Sequence, residues 1–134
     1  MAARAGAKRK RKAKPAEPAG ADEAELARLA ARVATAMRAE EVAIYDLRGI
    51  ADFTDFFVVA TAAAATQRRS IVRAIERKFA GEGRRPLGVE GLDAGWTLLD
   101  FGGCLVHLFS PELRAYYDLD LLWGDCPRVD WEAT

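Results

Sequence analysis

The sequence predicts an α/β domain in which a mixed sheet of about five strands is flanked by helices. Three observations lead there. Segments with apolar residues at helical spacing alternate with short apolar runs of strand length, in the order α-β-β-α-β-β-β-α. A helical stretch separates the second strand from the third, as a crossover between strands of one sheet requires. The last two strands flank Gly102-Gly103, and paired glycines suit the positive φ angles of a hairpin turn. At 134 residues, 51% of them apolar, the chain can fill one modest core and has little left for a second.

Asp22 opens the first helix. Leu26, Leu29, Ala30, Val33 and Met37 share one face, while Glu25, Arg28, Arg32 and Arg38 lie elsewhere. Asp22 and Glu23 stand where the helix dipole favours anions. Val42–Leu47 reads as a strand closed by Gly49, and Phe56–Ala60 as a central strand buried on both faces. The second helix spans about Thr66 to Ala80, with Ile71, Ala74, Ile75 and Phe79 on its apolar stripe. Gln67, Arg68, Arg69, Arg73, Arg77 and Lys78 project mostly away from that stripe, and Gly81 and Gly83 end the helix. Pro86–Glu90 reads as a third strand whose proline suits a start or an edge. Trp96–Phe101 and Cys104–Phe109 form the hairpin. After Pro111 one short helix runs through Arg114 to Leu119, and an irregular stretch ends in Trp131. The chain thus divides into a disordered basic tail (1–20), a folded domain (21–126) and a C-terminal tail (127–134).

The formal net charge of zero hides an asymmetry. Residues 1–20 hold seven basic residues against Glu17, which leaves thirteen basic residues and nineteen acids for the rest. From Glu90 onward nine acids face only Arg114 and Arg128. An acidic C-terminal half attracts basic partners and repels nucleic acid. The Lys8–Lys12 run offers salt-sensitive contact with RNA phosphates; its plainer reading is a solvated tail, or residues upstream of a true start. No apolar run approaches the roughly 18 residues of a membrane span, and no apolar segment follows the basic start, which argues against export. Cys104 and Cys126 stand far apart and, with a single histidine, match no metal-ligand spacing; reduced thiols in a cytoplasmic protein are expected.

Few residues offer chemistry. His107 sits in an apolar strand without a partner nucleophile and reads as a structural histidine rather than a general base. Asp118 and Asp120 have the spacing of magnesium-binding carboxylates on a strand, but on a helix residues two apart diverge. No G-x-x-x-x-G-K phosphate loop is present. Trp96, beside Gly95 and an acidic neighbourhood, fits either a packed ring over the sheet or a partly exposed interface anchor. Tyr116, Tyr117 and Trp123 carry the same ambiguity.

Six ordered motifs then match one family. Asp46-Leu-Arg-Gly49, Thr54-Asp-Phe-Phe57, Pro86-Leu-Gly-Val-Glu-Gly91, Trp96-x-Leu-Leu-Asp-Phe-Gly102, Val106-His107 and Arg114-x-x-Tyr-Asp-Leu-x-x-Leu-Trp123 resemble the ribosomal silencing factor family, also called the Iojap family, over about residues 25 to 130. The resemblance implies a nucleotidyltransferase-like α/β fold without catalytic apparatus, and no cofactor, metal or catalytic residue. It implies binding to ribosomal protein fourteen of the large subunit, on the face that meets the small subunit, so that the subunits stay apart and translation is damped. Carried over by position, Trp96, Asp100, Tyr117, Asp118 and Asp120 fall at or beside that contact, while His107 and Glu90 support the sheet. Adjacent ribosomal RNA could meet the basic tail or the Arg68, Arg69 and Arg73 face. Exposed aromatics would allow a homodimer when the partner is absent. The alternatives are a nucleotidyltransferase-type enzyme, suggested by the implied fold alone, and an RNA-binding protein driven by its tail. One departure stands out: the family's Thr/Ser-Gly-x-Ser turn is replaced by Thr61-Ala62-Ala63-Ala64, which removes a permissive φ position and a capping hydroxyl.

Overall fold

Asp22 starts the ordered chain as its charge predicts. In a computed structural model, which describes residues 22–132, its carboxylate accepts the Glu25 amide hydrogen at 2.8 Å and caps α1 (Glu23–Ala36). The basic tail lies outside the described residues. The buried stripe of α1 is rotated from the expected one: Leu26, Ala27, Ala30, Ala31 and Ala34 are fully buried, while Leu29 and Met37 are only half-buried. Alanines let the helix approach the sheet closely, so the larger side chains fall at its margins.

Five strands follow: β1 (Glu40–Asp46), β2 (Phe56–Thr61), β3 (Gly88–Glu90), β4 (Trp96–Asp100) and β5 (Cys104–Phe109). They form one sheet in the order β1-β2-β5-β4-β3. The β2–β5 pair is parallel and the others antiparallel, so the sheet is mixed as expected. The crossover that makes a parallel pair reachable is α2 (Ala65–Gly81). In the hairpin turn only Gly102 has a positive φ, +83°. Gly103 is needed for space instead, because a Cβ there would lie 2.6 Å from the Glu23 carboxylate. That carboxylate pairs with Arg84 at 2.7 Å and ties α1 to the segment after α2.

Alternation along β2 divides the core. Phe56, Val58 and Ala60 pack with α1 and α2, while Phe57 and Val59 pack with residues of the C-terminal helices. Two helices of 14 and 17 residues cover the first face. The second is covered by α3 (Pro111–Tyr117) and α4 (Leu119–Trp123), of seven and five residues. The single helix expected here is broken at Asp118, which adopts a left-handed conformation at φ 50° and ψ 54°.

One other reading needs correction. Arg68 does not project outward: it is buried, and its guanidinium donates to the carbonyls of Ala62 at 2.6 Å and Ala63 at 3.1 Å. Ala64, at the N-cap of α2, has no side-chain acceptor, so this arginine folds back to fix the loop instead. Residues 127–132 are irregular yet pinned to the domain. Asp46 donates to the Pro127 carbonyl at 2.8 Å, Val129 to that of Ile44 at 3.0 Å, and Arg28 and Arg32 bind the carbonyls of Asp130 and Trp131. The segment thereby covers the β1 edge of the sheet. Cys104 and Cys126 are both buried and free.

Candidate functional site

The thinly covered face carries the candidate site, and its floor is aromatic. Trp96 and Phe109 are register partners on β4 and β5, and their rings lie 4.7 Å apart. Trp96 donates its indole N–H to His107 Nδ1 at 3.1 Å, which places the neutral imidazole's proton on Nε2. Burial, aided by the Arg114 charge, pushes the His107 pKa down to about 3. The imidazole is therefore neutral at physiological pH, and its environment is that of a structural group. Tyr117 lies over Trp96 at 4.4 Å, with Tyr116 edge-on to it at 4.9 Å.

A polar lock holds the two helices above this floor. Arg114, buried midway along α3, donates to both oxygens of Asp120 at 2.7 and 3.0 Å and to Thr61 Oγ1 at 2.9 Å. Asp120 also accepts from the Tyr45 hydroxyl at 2.5 Å. Burial alone would raise the Asp120 carboxyl, but these bonds to Arg114 and Tyr45 outweigh it and hold the pKa below the ordinary range. Burial and the same carboxylate push the Tyr45 phenol up to about 12. Asp118 ends α3 and begins α4, its carboxylate accepting the Leu121 amide hydrogen at 3.2 Å.

Above lock and floor stands an exposed apolar rim. Tyr116, Leu121 and Leu122 are 77%, 81% and 67% exposed, values that set them apart from the buried ring system beneath. An open cleft of about 390 Å³ flanks it, lined by Glu40, Glu41, Thr61, Pro111, Arg114, Ala115, Asp118 and Asp120. A second of about 570 Å³ runs between Trp123 and the Gly49–Phe53 loop, where Ile50 is also exposed. The α3–α4 corner is thus an apolar ridge between an acidic cleft and a second one of mixed character, which Ile50, Phe53 and Trp123 line together with Asp52.

The expected contact residues separate into two groups. Trp96 is not partly exposed: only 4% of it meets solvent, because both its faces are covered by Phe109, His107 and Tyr117. Asp100 is equally buried, and its carboxylate holds the hairpin turn through the Gly102 amide at 2.8 Å. Asp120 serves the lock. Tyr117 is half-buried and Asp118 is exposed, so these two reach the surface. Asp118 and Asp120 do not converge, since one caps α4 and the other binds Arg114. Among the described residues no group of three or more His, Cys, Asp or Glu side chains is placed to hold a metal. Glu90 is half-buried on β3 opposite Leu98.

Sequence reasoning missed the prominence of Leu121 and Leu122. The signal was present: Leu119-Asp-Leu-Leu-Trp123 has more large apolar residues than one face of a five-residue helix can bury.

Comparisons with known proteins agree on the kind of molecule. The profile of the family described as "Ribosomal silencing factor during starvation" matches residues 20–134. A ribosomal silencing factor from Halalkalibacterium halodurans is 34% identical over 111 residues, covering 82% of this chain and 95% of the relative. The chloroplastic protein Iojap of Zea mays is 31% identical over 104 residues, covering 75% of this chain and 44% of that longer protein. A crystal structure from Bacillus halodurans superimposes with a TM-score of 0.68 at 32% identity, covering 79% of this chain and 97% of the other. One from Chromobacterium violaceum reaches 0.73 at 23% identity, covering 85% and 95%, and speaks for the fold alone. Among the described residues no helix is long and apolar enough to cross a membrane.

Proposed function

The chain belongs to the ribosomal silencing factor family, a family of translation regulators and not one named for an enzymatic activity, and from that premise we propose that it acts in the cytoplasm by steric exclusion. The α3–α4 corner docks on ribosomal protein fourteen of the large subunit, and the bulk of the domain then obstructs the approaching small subunit. The observation that carries this reading is the exposed ridge of Tyr116, Leu121 and Leu122 beside an acidic cleft, on the face that two short helices leave thinly covered. Apolar anchors ringed by one sign of charge fit a basic protein surface. Tyr117 and Asp118 join the contact directly. Trp96 and Asp120 act from beneath, by holding the corner in shape, while Asp100 serves the hairpin turn at the far end of β4. No bond is made or broken, so potency follows the concentration of the factor relative to its dissociation constant.

The test is sedimentation of purified ribosomal subunits with increasing amounts of the protein, alongside Leu121→Glu and Tyr116→Ala variants. The wild type is expected to shift assembled ribosomes to free subunits, and each variant to need at least about tenfold more protein, the equivalent of about 1.4 kcal/mol. A pull-down with large subunits lacking their fourteenth protein is expected to recover far less than one with complete subunits. Full recovery from those subunits, or undiminished ribosome assembly at saturating protein, would overturn the reading.

A further inference from the structure

The face opposite the α3–α4 corner carries the reverse charge. Residues 65–90 hold seven of the thirteen basic residues found after residue 20, but only three of the nineteen acids. Much of this charge lies on α2, where Arg69, Arg73 and Arg77 follow one another at four-residue intervals. On a helix that spacing forms a single row, with about 6 Å of rise between members. Three of the seven are engaged: Arg68 binds loop carbonyls, Arg84 pairs with Glu23, and Arg69 pairs with Asp93. The Arg69 pair is open to water, since the Asp93 side chain is 88% exposed. Arg73, Arg77, Lys78 and Arg85 are exposed, and among the described residues no carboxylate lies within ion-pairing distance of them. Glu76 is half-buried on the same helix and Glu82 lies past its end.

Like charges four residues apart destabilise a helix, so the row works against the fold that carries it. Its outward neighbours Thr66 and Ser70 are small and polar. The groove beside the row adds Leu92, 42% exposed, next to Arg69 and Arg73, but no exposed aromatic anchor of the kind that dominates protein hot spots, so charge prevails and such a surface fits a phosphate backbone.

We propose that Arg73, Arg77 and Lys78 of α2 form a second binding surface, for the phosphate backbone of an RNA strand, on the face of the sheet opposite the α3–α4 corner. It does not depend on the docking of that corner. A molecule acidic on one face and basic on the other can engage protein and RNA at once, and the RNA contact adds affinity that salt weakens.

The experiment is fluorescence anisotropy of a labelled oligouridylate with the full chain over a salt series. Replacing Arg73, Arg77 and Lys78 together by Gln is expected to weaken binding and to flatten the plot of log affinity against log salt by about 2, since each single-strand phosphate contact contributes about 0.7. Because all three side chains are exposed, the thermal transition should stay near that of the wild type. Arg73→Lys with Arg77→Lys should restore the slope. Gln at Lys8, Arg9, Lys10, Arg11 and Lys12 should remove a separate share and leave the contribution of the row intact, and Leu121→Glu should leave RNA affinity unchanged. An unchanged slope in the triple variant overturns the proposal, as does displacement of the RNA by polyglutamate at equal charge concentration.

Discussion

Acidification should unfold this protein through His107. Its buried imidazole has a folded-state pKa near 3, against an ordinary value of 6.5. Between those values the unfolded chain binds one more proton than the folded one. A base depressed in this way contributes stability that is complete above pH 6.5 and is lost as the pH falls towards 3. The slope is about 1.4 kcal/mol per pH unit, so lowering the pH from 7 to 5 should cost about 2 kcal/mol from this residue alone. Asp120 acts lower down: its depressed carboxyl stabilises the fold above the ordinary carboxylate range and is lost only as the pH falls through its folded pKa. The window from 7 to 5 therefore isolates the histidine. Urea denaturation at pH 7, 6 and 5 measures it, with His107→Leu as the comparison. The variant starts lower, because it leaves the Trp96 indole N–H without its acceptor, which costs about 1–3 kcal/mol. Its stability should nevertheless fall less between pH 7 and 5, by about 2 kcal/mol. Equal losses in the two proteins would refute the assignment of His107 as the titrating group.

Trp96→Ala should destabilise the fold by about 3–5 kcal/mol in chemical denaturation, because it opens a cavity among Phe109, His107 and Tyr117. A normal denaturation midpoint would show the ring to be dispensable to the core. Asp120→Asn leaves the buried Arg114 without its countercharge, and since the carboxylate is about one-third exposed the loss should be about 1–3 kcal/mol. Faster hydrogen exchange confined to residues 118–123 would be its signature, and unchanged exchange there would refute the lock. Ala64→Ser supplies the acceptor that the N-cap of α2 lacks and should raise stability by about 1 kcal/mol, read as an upward shift of the thermal midpoint; a downward shift would show that the hydroxyl cannot reach the α2 amides.

Most of the fold was legible because its signals are local. Phe56–Phe-Val-Val-Ala60 announced a strand apolar on both faces, and β2 is indeed the buried strand shared by an antiparallel and a parallel neighbour. Asp22 located the start of α1 to within a residue. What failed depended on contacts distant in sequence. Arg68 is the local exception: its guanidinium turns back onto the carbonyls of Ala62 and Ala63, beside an N-cap that Ala64 leaves without an acceptor. The break at Asp118 depends on Arg114 and Tyr45 both reaching Asp120, and Tyr45 lies 75 residues away. Trp96 was misjudged for a related reason: an indole after two loop glycines reads alike whether or not a tyrosine from a later helix covers it.

With Trp96 withdrawn from the surface, the docking proposed for the corner has fewer apolar groups to draw on, and the magnitudes indicate what each part would supply. Burying an exposed leucine gains about 1.5–3 kcal/mol, so Leu121 and Leu122 with the ring of Tyr116 offer roughly 5–9 kcal/mol gross. Association costs an estimated 4–15 kcal/mol, so the ridge alone cannot give tight binding. The remainder falls to the surrounding acids, whose field accelerates encounter with a basic partner and fixes its orientation. The same field bears on self-association. In a two-fold dimer each ridge would meet its copy, which brings Asp118 and the neighbouring acids of both protomers together. Like charges oppose that pairing while opposite charges favour a basic protein, and added salt weakens both effects. Rising salt should therefore move the corner from the proposed basic partner towards a second copy of itself, read as a growing dimer fraction in sedimentation, and a dimer that weakens as salt rises would refute this role for the acids.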